Sequence, residues 1–82
     1  MSNHEVCGME MRINLDCPAC CKKMDRILLR MKEIEKRKID GKNNMVVVCG
    51  RFDYAEVAIK IRKKMRRRVE ILDVQMFTAQ PE

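Results

Sequence analysis

Cys17-Pro18-Ala19-Cys20 places two thiols three residues apart, after an alternating run and at the opening of a run with helical period. Thiolates, not thiols, are metal ligands. A helix N-terminus stabilises a thiolate through its unpaired amide hydrogens and positive dipole end. Two intervening residues let both sulfurs face one ion. Soft sulfur donors select Cu(I), a d¹⁰ ion that a nearly linear pair satisfies. Zn(II) or another soft divalent ion fits less well, because structural zinc takes four ligands. Cys21, His4 or a second copy of the chain, bridged through the metal as a homodimer, would have to complete such a site. Two thiolates around Cu(I) carry one net negative charge, which Arg67 or Lys64 would offset if the end of the second helix folds toward the loop. Two other readings stay open. A thioredoxin-type redox pair has the same placement, but it needs a larger chain and a later proline, and Pro81 is too near the terminus. In the third reading the cysteines are unligated and Cys20 lies on the core face.

The elements that position this loop must come from one small domain of 82 residues with a modest core. Aromatics are confined to Phe52, Tyr54 and Phe77, so the core is aliphatic and eight methionines fill the gaps between branched side chains. The formal charge of +6 attracts acidic surfaces of any kind. Five cysteines, an odd count, argue against a closed disulfide framework. No apolar run resembles a signal peptide or a membrane span. A reducing compartment, cytoplasmic or nuclear, is expected, where thiols stay free for metal. The last four residues, Ala79-Gln80-Pro81-Glu82, contain no prenylation cysteine. No direct membrane anchor is therefore expected in this chain.

Residues 1–8 read as a flexible leader, residues 9–76 as the domain and residues 77–82 as a flexible tail. Met9, Met11, Ile13 and Leu15 alternate with polar residues, which predicts a half-buried strand. Asp16 to Ala19 form a loop. Cys20, Met24, Ile27, Leu28 and Met31 then mark one face of a helix. A weak second strand falls near Glu35–Ile39, followed by the turn-rich Asp40-Gly41-Lys42-Asn43-Asn44. Met45 to Cys49 is a continuous apolar run, rich in Val, and predicts a buried strand. Asp53 with Glu56 signals the start of a second helix, whose apolar face is Tyr54, Val57, Ala58, Ile61 and Met65. Val69, Ile71 and Val74 mark a last strand, with Leu72 out of step at a bulge. The order β-α-β-β-α-β predicts an α+β, ferredoxin-like sandwich: a four-stranded antiparallel sheet with two helices on one face.

With these elements in place, the chain resembles heavy-metal-associated domains of the copper-chaperone type. It is most similar to the plant small heavy-metal-associated proteins, many of which carry an isoprenylated tail. The stretches that carry the resemblance are Met11 to Cys20, Asn44 to Val48, Phe52-Asp53, Ile61 to Lys64 and Val69 to Leu72. Together they span about residues 9–75. The resemblance implies the same fold and settles the second strand. It implies that Cys17 and Cys20 are metal ligands, that Leu15 packs beneath the loop where the family often has Met, and that Arg67 stands where copper chaperones often carry Lys. Departures include Ala19 for Gly, Met65-Arg66 for Thr-Gly, Arg37 at a usually apolar position, and Cys21 as an extra thiol beside the pair. The implied function is a soluble carrier that binds one soft metal ion and exchanges it with a metal-donating or metal-receiving protein. The alternative the family implies is a plant protein-interaction module, seized by a fungal pathogen effector or serving as bait, with metal incidental. Its partner face would be Glu35, Lys36, Arg37, Lys38 and Asp40 on the second strand and Met45, Val46, Val47 and Val48 on the third.

The remaining polar and sulfur residues have ordinary readings. Cys49 is expected to be a buried small hydrophobe and Cys7 an exposed bystander in the leader. His4 is a solvated tail residue. The basic run Lys60 to Arg68 reads first as a solvated helix end. The strands lack the stacking aromatics of an RNA-binding sheet, so no nucleic-acid partner is expected. No catalytic triad, carboxylate pair or Gly-rich phosphate loop is present, so no enzyme activity is expected.

Overall fold

The structure, a computed structural model, describes residues 5–78. Its elements are β1 (Glu5–Ile13), α1 (Pro18–Arg30), β2 (Ile34–Asp40), β3 (Met45–Gly50), α2 (Tyr54–Met65) and β4 (Val69–Thr78). The strands form one antiparallel sheet in the order β2-β3-β1-β4. This is the ferredoxin-like α+β sandwich that the sequence predicts. The core is aliphatic and thioether-rich, with Met9, Met11, Ile13, Met24, Leu28, Val46, Val48, Val57 and Ile61 almost fully excluded from solvent. No helix among the described residues is long and apolar enough to cross a membrane.

Several boundaries move. Residues 1–4 and 79–82 lie outside the described residues, but β1 already begins at Glu5 and β4 runs to Thr78. The described parts of the expected leader and tail pair with each other, Glu5 with Thr78 and Val6 with Phe77, and Cys7 pairs with Met76 at the end of the expected domain. The last residues of β4 show no clear strand pattern alone and are completed by a partner about 70 residues away in sequence. Cys7 continues the alternation of Met9, Met11 and Ile13 and is 1% exposed, so it is a core residue and no bystander. The irregularity expected at Leu72 is present: Glu10 pairs with Asp73 and Met11 with Ile71, leaving Leu72 unmatched.

β3 is not buried on both sides. Val46, Val48 and Gly50 are buried, while Met45, Val47 and Cys49 are only half covered. Both helices pack on one face of the sheet, so alternate residues of even a wholly apolar strand meet the open face. Cys49 is therefore half exposed, against expectation. Tyr54, assigned to the buried face of α2, sits at the helix's first position and remains 43% exposed. The Asp53 N-cap forms as expected, its carboxylate accepting the Ala55 amide hydrogen at 3.0 Å.

Candidate metal site

The loop between β1 and α1 is fastened from below and from the side. Leu15 is buried beneath it. The Leu15 backbone N–H donates to Oδ1 of Asn44 at 2.8 Å, across 29 residues of sequence. The Ile13 N–H donates to the Asn44 carbonyl at 3.0 Å. Asn44 holds both bonds from the left-handed region, with φ of 55°, a conformation that Asn tolerates better than most residues. One turn residue between β2 and β3 thus clasps the strand end that feeds the metal loop. Asn44→Gly keeps the left-handed backbone without strain but removes the side-chain acceptor. It is expected to speed hydrogen exchange at the Leu15 amide and weaken metal binding about tenfold, as for loss of a partner that orients a ligand. Asn44→Asp, which retains an acceptor oxygen, should restore both. Equal behaviour of the two variants would show that the clasp does not position the loop.

Cys17 is the N-cap of α1, with extended backbone, and Pro18 opens the first turn without a stranded N–H. The Cys17 carbonyl accepts from the Cys20 N–H at 3.0 Å, and this turn brings the two sulfurs to 2.9 Å. Both cysteines are free, and the separation is well beyond a disulfide bond. The two thiols share a hydrogen bond, and their acidities separate. Acceptance of that bond from Cys20, with backbone amide donors of the first turn, holds the Cys17 thiol below its ordinary value. Donation of the same bond, with burial, pushes Cys20 up, while the Arg67 guanidinium pulls it down. Cys17 is thus the more acidic and the exposed member of the pair, and Cys20 the less acidic and buried one.

Arg67 closes the site from the β4 side. Its Nη2 donates to Cys20 Sγ at 3.2 Å and its Nη1 to the Asn14 carbonyl at 3.4 Å. Nη1 also lies 3.6 Å from Asp16 Oδ1. Asp16 Oδ1 also lies 3.8 Å from Cys20 Sγ, as an alternative acceptor for its one thiol hydrogen. The ligand atoms of Asp16, Cys17 and Cys20 lie within 4.8 Å of one another. Two soft sulfurs beside one hard oxygen suit a soft ion, with the carboxylate available to a divalent one. Asp16 and Asn44 have no place in the sequence-based site. Asp16 precedes the motif directly, but its role depends on the turn, and Asn44 reads locally as a turn residue only.

The other expected residues divide. Cys21 points away from the pair. A Cβ added at Gly41 would stand 2.7 Å from its sulfur, so Cys21 packs over the β2–β3 turn and does not support the metal loop. On β2 and β3, strand pairing puts Lys36, Lys38, Asp40, Met45 and Val47 on the open face. Val46 and Val48 are buried under the helices and cannot meet a partner. Arg37 faces the helix side, where its Nε donates to Asp25 Oδ1 of α1 at 2.6 Å. That ion pair explains a cation at a usually apolar position. Glu35 is exposed at a pairing irregularity between Ile34 and Lys36. Asp40 is tied to its own turn, accepting from the Lys42 N–H at 3.2 Å and the Asn43 side-chain amide at 2.8 Å.

No family profile matches the chain. It is similar to heavy metal-associated isoprenylated plant protein 5 of Arabidopsis thaliana, 37% identical over 62 residues, which cover 76% of this chain and 16% of that protein. It is also similar to heavy metal-associated isoprenylated plant protein 19 of the same plant, 31% identical over 70 residues, covering 85% of this chain and 52% of that protein. The chain thus spans about a sixth and about half of these two relatives. Among solved structures, it resembles the copper(I)-loaded first domain of the human copper chaperone for SOD1. The TM-score is 0.76 at 16% identity, covering 85% of this chain and 97% of that one. A yeast copper transporter domain, studied in apo and Cu(I)-loaded states, superposes with a TM-score of 0.70 at 18% identity, covering 83% and 97%. At these identities the structural likeness shows the fold.

Proposed function

The chain carries a heavy-metal-associated domain, and from that premise we propose that it takes up one soft metal ion, Cu(I) first, between Cys17 and Cys20 and passes it to a partner protein. The observation that carries this reading is the sulfur pair, 2.9 Å apart at a helix start, with a guanidinium against the buried member. Cys17 meets the incoming ion as the exposed thiolate. Cys20 gives up its proton as the ion arrives, and Arg67 offsets the negative charge that remains. The exposure of Cys17 leaves one side of the site open to a partner's thiolate, so the ion can leave by ligand exchange without unfolding the loop. Free thiols in this role require a reducing compartment, and the cytoplasm fits.

A titration against a chelator competing for Cu(I) tests the reading. One Cu(I) per chain is expected, held at least about a hundredfold more tightly than Zn(II), because two thiolates satisfy Cu(I) and leave Zn(II) short of ligands. Equal or tighter Zn(II) binding would count against it and favour a site completed by Asp16. A second reading is supported by the uncovered sheet face, where Lys36 and Lys38 stand beside Val47. There the domain docks an acidic partner, a pathogen effector among the candidates, and metal is incidental. Charge reversal at Lys36 and Lys38 would then abolish partner capture while leaving copper binding intact.

A further inference from the structure

Two non-glycine residues among the described residues adopt a left-handed backbone, Asn44 and Arg66. Asn44 is explained by its clasp on the metal loop. Arg66 is the C-cap of α2, with φ of 57° and its N–H donating to the Arg62 carbonyl at 2.8 Å. Helices commonly end this way, but on glycine, which adopts the conformation without a Cβ penalty. An arginine there carries a cost that the fold does not require.

Its surroundings supply a reason. Arg62, Lys63, Arg66, Arg67 and Arg68 line a concavity of about 500 Å³ between the end of α2 and the start of β4. The ion pairs among the described residues engage Arg12, Arg37, Lys60 and Arg67, and leave Arg62, Lys63, Arg66 and Arg68 unneutralised. The negative end of the α2 dipole favours cations here; Arg67 is already engaged by Cys20, Asn14 and Asp16, and an anion would offset the mutual repulsion of the other four. Four of the five are arginines, whose planar fork matches phosphate oxygens in pairs.

The geometry points to a binding site for a compact, multiply phosphorylated ligand of the inositol-phosphate type, free or as a lipid headgroup, with Arg66 and Arg68 as principal contacts. A compact anion can meet several of these neighbouring cations at once, whereas an acidic peptide spreads its carboxylates along an extended backbone. No aromatic side chain lines the concavity, so it lacks the stacking platform that single-stranded nucleic acid uses. Arg67 belongs both to this rim and to the metal loop, so ligand and metal would occupy the same end of the molecule.

The test uses the whole chain without metal. One arm measures binding of free inositol hexakisphosphate by calorimetry. The other measures co-sedimentation with phosphatidylcholine vesicles containing phosphatidylinositol bisphosphate, with and without free inositol hexakisphosphate as competitor. Binding in the first arm alone identifies a soluble ligand, and binding in both that the competitor reverses identifies a headgroup; either supports the site. Arg66→Gly with Arg68→Gln should lower affinity by about a hundredfold, near tenfold for each charge-assisted contact. The same variant should melt no lower than the parent, because glycine relieves the cap. Lys36→Gln with Lys38→Gln, which removes two charges at the far edge of the sheet, should leave affinity within about twofold. The site would be overturned by no binding in either arm, by an equal loss in the Lys36/Lys38 variant, by vesicle binding that the competitor does not reverse, or by single-stranded RNA displacing the ligand at equal affinity.

Discussion

Replacing both Cys17 and Cys20 by serine is expected to lower Cu(I) affinity by on the order of a thousandfold or more, since both soft donors go and only Asp16 remains. The fold should survive. Cys17 is exposed and Cys20 lies at the edge of the core at 8% exposure, so the stability cost should stay at about 1 kcal/mol for a partly buried hydroxyl. Cys21→Ser is the matched control. Its sulfur packs toward Gly41, and affinity should change by less than about twofold. A large loss in the Cys21 variant would mean that the loop reorganises to recruit a third thiol. An unchanged affinity in the double variant would place the metal elsewhere.

The largest expected effect on stability comes from Gly50→Ala. Gly50 has no unusual φ; its requirement is space. A Cβ there would collide with the backbone carbonyl of Glu33 and stand 3.0 Å from the Glu35 backbone N. Backbone cannot rotate away as a side chain can, so β2 and β3 must separate at their paired end. A loss of about 2–4 kcal/mol is expected, in the range for overpacking a close contact. In a domain this small that is a large share of the total. Gly8→Ala is the contrast: its added methyl meets the Phe77 ring at 3.3 Å on the open sheet face. The ring can move, and the cost should stay below about 1 kcal/mol. Thermal melts of the two variants check this, and similar melting temperatures would contradict it.

The legible and illegible parts of the molecule separate along physical lines. Met9 to Leu15 and the α1 stripe showed clear periods because each has one covered and one open face. β3 misled because Met45 to Cys49 is apolar throughout, and composition cannot tell which face a single layer of helices covers. The pairing of residues 5–8 with 75–78 was not readable, since only Cys7 extends the alternation of β1 and the end of β4 becomes a strand only against its partner. At the site, the Cys17/Cys20 spacing was readable, and resemblance pointed to Arg67. Its bonds to Cys20 and the Asn14 carbonyl depend on where β4 starts relative to β1. Asn44 was hidden for the same reason: its sequence context says turn, while its action on Leu15 lies across the sheet. Arg37 looked like a departure from an apolar position until Asp25 of α1 supplied its partner.

X-ray absorption at the copper edge of the Cu(I)-loaded chain tests the central claim most directly. A first shell of two sulfur scatterers is expected in the parent and in Cys21→Ser, and its loss is expected in the Cys17/Cys20 double serine variant. A shell dominated by nitrogen or oxygen, or a sulfur shell that persists in the double variant, would contradict metal capture by this pair.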